Sequence, residues 1–298
     1  MRWHFIISCC RGKRSRLRIC VEKGCLTLCL GIVLAIRTAS PELATDNDTK
    51  KVEAIERLCE QKLNEFRKRH RRSELEHDSG LLLVARHHSE DMLRRGYFSH
   101  QSPEGMSVSD RLAQFYPRLF GGPGENIFRM RGPVVHTSEE EIATSIINGW
   151  EKSAGHRANM LSPDFTHVAV GIAVGGDELF ATCNFAEEIA LLDEPLPREA
   201  LHGDRIPVSG VVRGRVTLKE LTAFLVIPDP TMKCPVPGDP TAYSVGGCFV
   251  KVLTTDKDKG RFMILLELDK GKGIYEFKLG QIKEGVDMFY PGWRIVVR

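Results

Sequence analysis

Long apolar runs are scarce in this chain of 298 residues. The one candidate, residues 25–36, is twelve residues long, whereas a helix that crosses a bilayer needs about 20. A basic stretch at 11–23 precedes it, and together they suit an export signal over residues 1–40, with an uncleaved membrane anchor as the alternative. The leader is long, Arg37 closes the apolar run, and a cut after Ser40 would leave Pro41 at the new terminus. The expected location is secreted or cell envelope, with membrane contact only through an uncleaved N-terminal segment.

Charge of one sign is also lacking. The net charge is +3, but residues 1–40 hold eight Lys/Arg and one acidic residue; the remainder has 34 basic and 38 acidic side chains, a net −4. Such a balance gives no electrostatic footprint for nucleic acid, so none is expected as a partner. Cysteine is sparse outside the leader: five of nine lie there, leaving Cys59, Cys183, Cys234 and Cys248. Cys183, in a strand pattern, reads as a small buried hydrophobe. Cys234 and Cys248 share a Pro/Gly-rich loop and are the disulfide candidates. Reaction-naming motifs are missing as well: there is no GxSxG, HExxH or phosphate-binding glycine loop.

What is present centres on residues 139–184. Ser138 with Glu141 three positions later is a capping-box pattern, and Ile142, Ile146 and Trp150 recur on one helical face. GHRANML follows, where Gly155 is expected to free the backbone and present His156 at a turn, held against Glu125. Residues 168–174 are apolar on both faces, as in a strand covered on both sides.

Upstream, Val52, Ile55, Cys59, Leu63 and Phe66 mark one face of a first helix, which ends in the basic cluster 67–72. That cluster reads as a solvated helix end, with anionic headgroups or wall polymers as the alternative partner. A second helix over 79–95 turns His88 inward with Leu81, Val84, Ala85 and Met92 and closes at Gly96. Then come Ser99-His100, a turn-rich loop through 112, and Gly121-Gly122-Pro123-Gly124-Glu125-Asn126. His100, Glu125 and His156 each stand where glycine or turn chemistry would expose them, and histidine with carboxylate is suitable chemistry for zinc.

The ordered motifs ARHHSEDMLRRGYFSHQSP, GENI, GWEKSAGHRANML and FTHVAVGIAV resemble the CAP superfamily of cysteine-rich secretory, antigen 5 and pathogenesis-related proteins, nearest its bacterial secreted branch. The resemblance covers residues 50–187. It implies an α+β fold, an α-β-α sandwich with an open cleft, and a cleft set drawn from His100, Glu125 and His156, with Asn126, His88 and Ser153 beside them. Many relatives add a glutamate three residues after the helix tryptophan; this chain has Ser153 there. His100, His156 and Glu125 would therefore be an incomplete set for a divalent metal, zinc being the best match, or a hydrogen-bonded cluster that fixes loops.

Residues 188–205, acidic then proline-rich, read as a linker. Residues 206–298 read as an all-β C-terminal domain, a β-sandwich with an immunoglobulin-like analogy resting on Tyr275 after the 270–273 turn. Strands are expected at 213–227, 248–255, 261–268, 273–279 and 293–298. With no reaction motif, the functional expectation is a non-catalytic extracellular module for a lipid, peptide or glycan ligand. The alternative is a metal-dependent or serine hydrolase of envelope peptides or polymers, with Ser99 or Ser153 cast as nucleophile.

Overall fold

The computed structural model describes residues 46–298 apart from Pro237; the expected leader at 1–40 lies outside the described residues. No described helix is long and apolar enough to cross a membrane. The chain runs through α1 (Asp46–Arg69), β1 (Glu76–His77), α2 (Ser79–Arg95), α3 (Val108–Phe115), β2 (Leu119–Arg131), a 3-10 turn, α4 (Glu139–Lys152), α5 (Ala154–Leu161), β3 (His167–Gly175) and β4 (Glu178–Leu192). Its fold class is α+β.

Local chemistry sets the helix ends. Asp78 caps α2 by accepting from the Leu81 N–H, and Gly96 closes it in the left-handed region at φ 69°. Ser138 and Glu141 form the expected reciprocal box on α4. Ile55, Cys59, Leu63 and Phe66 of α1 meet Ile142, Ile146 and Trp150 of α4 and the strand residues Val168 and Val170 in one core. Trp150 is fully buried, and its indole N–H donates to the Ile127 carbonyl at 3.1 Å. That bond ties α4 to β2, the strand that carries Glu125.

Arg67, read from the sequence as part of a solvated cluster, is instead fully buried. Its guanidinium donates to the carbonyls of Ser73, Met160 and Ser162 at 2.7–3.0 Å. Burial, then the neighbouring Arg215 and Arg72, pull its pKa down to about 10. The result is an anchor between the end of α1 and the end of α5.

The rest is strand: β5 (Glu199–Ala200), β6 (Arg205–Val212), β7 (Leu221–Val226), β8 (Lys233–Val236), β9 (Asp239–Val245), β10 (Gly247–Phe249), β11 (Leu253–Asp256), β12 (Arg261–Glu267), β13 (Gly273–Lys283), β14 (Val286–Phe289) and β15 (Trp293–Val297). One sheet runs β1-β3-β4-β6-β12-β11 with β2 on β4; a second runs β10-β7-β13-β15-β5 with β14 on β13. Inward residues of both, among them Phe262, Ile264, Leu225, Phe277 and Ile295, share a core with Phe120 and Ile189. Cys234 is bonded to Cys248. Tyr275 donates its hydroxyl to the Gly271 carbonyl and accepts from the Lys270 N–H, closing the 270–273 turn.

Several boundaries differ from the sequence reading: the single strand expected at 248–255 is broken into β10 and β11, which lie on different sheets. β4 continues to Leu192 and pairs Ala190, Leu191 and Leu192 with β6, so the first part of the expected linker is a buried strand. The expected strand at 213–227 begins only at Leu221, because 213–220 forms turns in which Glu220 accepts from the Thr217 N–H and hydroxyl.

At this boundary a polar cluster joins early and late parts of the chain. Arg213 donates to Glu188 at 2.9 Å and to Asp78 at 3.3 Å, while His167 lies 3.4 Å from Glu188. Burial, then the Asp78 charge, push the Glu188 carboxyl up to about 7, against the pull of Arg213.

Candidate functional site

Glu125 is the centre of the site. The Gly121–Gly124 approach, expected to be flexible and exposed, is β-strand, and Glu125 is only 7% exposed. Its Oε1 meets His100 Nδ1 at 2.8 Å and its Oε2 accepts from Arg111 at 2.5 Å. Arg111 is buried, and its other nitrogen donates to the His100 and Met106 carbonyls at 3.1 and 3.0 Å. One guanidinium therefore holds both the carboxylate and the loop that presents His100.

Arg111 was not singled out from the sequence, because 97–112 read as a loop. A capping box between Ser107 and Asp110 starts α3 there, and this was the available signal. Asn159 was also missed: its amide donates to the Glu125 carbonyl and to Asn126 Oδ1 at 3.1 and 2.9 Å.

His88 is buried and lies 4.0 Å from Glu125. Its Nε2 donates to the Ser99 carbonyl at 3.0 Å, while Nδ1 has no partner among the described residues. Burial first, with Arg111 adding to it against the pull of Glu125, lowers its pKa to about 4. His88 is thus a neutral core histidine under the site.

His156 lies in the first turn of α5, not in an open turn. Its ring centroid is 6.3 Å from that of His100 in an edge-on arrangement, and its backbone carbonyl accepts from Asn126 at 3.0 Å. Burial, then His100, lower its pKa. The carboxylate bond expected of His156 is made by His100. Asn126 is fully buried, so its role is to fix α5 on β2. Ser153 joins α4 to α5, and its hydroxyl caps neither helix; Ser99 accepts from the Gln101 N–H.

A divalent ion does not fit this arrangement of donors. Both oxygens of Glu125 are engaged, one by a guanidinium that repels a cation, and no group of three or more His, Cys, Asp or Glu among the described residues is placed to hold an ion. What remains open toward solvent is a facing imidazole pair, with the His100 side chain 54% exposed.

Helices on a sheet, with two histidines beside a buried glutamate, make up an α+β domain. Residues 61–185 match the cysteine-rich secretory protein family, CAP. The chain is 34% identical over 148 residues to the uncharacterized membrane protein YlbC of Bacillus subtilis, covering 49% of this chain and 38% of that protein. It is 33% identical over 139 residues to the uncharacterized protein YkwD of the same organism, covering 47% and 50%. The chain thus spans half or less of these relatives' length. An extracellular protein containing a SCP domain from Bacillus anthracis str. Ames aligns with 31% identity and a TM-score of 0.39, over 48% of this chain and 43% of that one.

Proposed function

We propose that this is an exported, non-catalytic binding module that acts at the cell envelope or outside it, and that its C-terminal strands form a β-sandwich which supports the CAP domain. The observation that carries the reading is the use of Glu125 as a buried brace between Arg111 and His100. A carboxylate spent in this way is not free as a base or a metal ligand, so the ligand-facing groups are the imidazoles of His100 and His156. His100 already gives its Nδ1–H to Glu125, so its open nitrogen is Nε2, and ring nitrogens of this kind suit hydroxyl, amide or carboxyl groups of a peptide, glycan or lipid headgroup. Export rests on the basic-then-apolar leader.

Comparing wild type with His100→Ala and His156→Ala tests this. Binding of envelope glycans, peptides and lipid vesicles should weaken in both variants, and neither should change turnover on an ester, peptide and glycan panel. Stoichiometric zinc retained by wild type after dialysis, or turnover lost in the variants, would replace the module with a metal-dependent hydrolase.

A further inference from the structure

A groove of about 370 Å³ opens on the other side of α3 from the Glu125 cleft, where the CAP domain meets the second sheet. α3 serves both places: Arg111 reaches Glu125, while its neighbour Asp110 lines the groove. The volume is within the range of small-ligand sites, and a junction between structural layers is a common place for one.

The charges around it are unequally committed. Asp110 already accepts from the Ser107 N–H and hydroxyl at 2.9 and 2.6 Å, and Glu276 lies 3.6 Å from Lys278. Arg198 and Arg294 are exposed, and among the described residues neither has a carboxylate at ion-pair distance. Arg198 is also held in place: its guanidinium lies 3.8 Å over the Trp293 ring, and one nitrogen donates to the Ala113 carbonyl at 3.0 Å. Two guanidiniums with donors to spare favour a carboxylate, which they can grip through paired N–H groups.

The backbone narrows the class. On β2 the Glu125 and Ile127 carbonyls point away from β4, since they accept from Asn159 and Trp150. Strand alternation continues that outward row at Pro123 and Gly121, and both line the groove. A free strand edge pairs with extended peptide. Sugar stacking would need an open aromatic face, but Trp293 is 7% exposed beneath Arg198.

We infer that the groove binds the carboxyl-terminal end of an extended peptide. The terminal carboxylate lies on Arg198 and Arg294, peptide N–H groups face the outward row at Gly121 and Pro123, and the last side chain rests on the partly exposed Leu112 and Leu119. The site is independent of the His100–His156 cleft.

The test uses the full chain with N-acetyl-Ala-Leu-Leu as free acid and as C-terminal amide, titrated by calorimetry. Wild type should bind the acid at least tenfold more tightly than the amide. Arg294→Gln, at an exposed position, should remove most of that preference with an unchanged unfolding midpoint, and Arg198→Gln/Arg294→Gln should abolish it. Equal binding of acid and amide overturns the inference, as does no saturable acid binding at millimolar concentration, or full acid preference in the double variant. Decanoate binding more tightly than the peptide acid would also overturn it, by making the groove a lipid site.

Discussion

Arg111 and Glu125 form a buried ion pair between α3 and β2, with side chains 2% and 4% exposed and a nitrogen–oxygen distance of 2.5 Å. Removing one partner of such a pair strands the other charge in a low-dielectric site. Arg111→Met should therefore destabilise the protein by about 3–5 kcal/mol, and adding Glu125→Gln should recover a large part of the loss. Urea denaturation of the two single variants and the double variant measures this; a loss under about 1 kcal/mol for Arg111→Met would show that the pair does not hold the site.

His88 and Glu188 should give pH dependences of opposite sign. His88 has a folded pKa of about 4, below its ordinary 6.5, so the unfolded chain binds the extra proton between these values. Its contribution is complete above pH 6.5 and is lost as pH falls toward 4, on the order of 3 kcal/mol at most. Glu188 has a folded pKa raised to about 7 from 4.5, so the folded state holds the extra proton and stability falls as pH rises through that window. Unfolding free energies from pH 4 to 8 should show a shallower acid slope in His88→Gln and a shallower neutral slope in Glu188→Gln. A wild-type slope in either variant would reassign that dependence.

Cys234 and Cys248 lie 14 positions apart, and their bond joins β8 to β10, the edge strand of the second sheet. Loops of this size contribute about 3 kcal/mol when cross-linked. Cys234→Ser/Cys248→Ser should lose about that amount. In the denatured protein with its leader removed, thiol titration should rise from two to four on reduction, since Cys59 and Cys183 are free.

Gly171 marks where α2 rests on β3. A methyl group there would sit 2.2 Å from the Arg86 backbone nitrogen, and the Gly171 carbonyl accepts from the buried Ser89 hydroxyl at 2.8 Å. Gly171→Ala should cost about 1–3 kcal/mol or more by pushing the helix off the sheet. Thermal unfolding checks it, and an unchanged midpoint would mean that α2 can slide at no cost.

The frame of the CAP part was legible because its signals are local and repeated. The apolar stripes of α1, α2 and α4, the Ser138–Glu141 box and the two-sided apolar run of β3 all depend on neighbours within a few residues. His100 and Glu125 became a candidate pair only through motif order, since 25 positions separate them. Arg111 was hidden because a buried arginine looks in sequence like any surface arginine on a short helix. The Gly-rich run before Glu125 misled for a related reason. Gly121 is small because its Cβ would meet the Glu187 carbonyl at 2.1 Å, and Gly124 because of Phe165 at 2.4 Å. Those glycines answer to close packing across a sheet, which composition alone cannot distinguish from a flexible loop.

The fifteen residues of β4 begin among the CAP strands and end against β6, so the family's border at residue 185 falls inside a single strand. The end of the family match and the end of the strand thus fall at different residues. A chain ended at that border would leave Phe120 without Ile189 and the inward residues of the second sheet. The C-terminal strands cannot be swapped like a tethered module, and any relative that lacks them must finish β4 in another way. Calorimetry should show one transition for residues 46–298, as expected when a ladder of backbone hydrogen bonds crosses the end of the family match at residue 185.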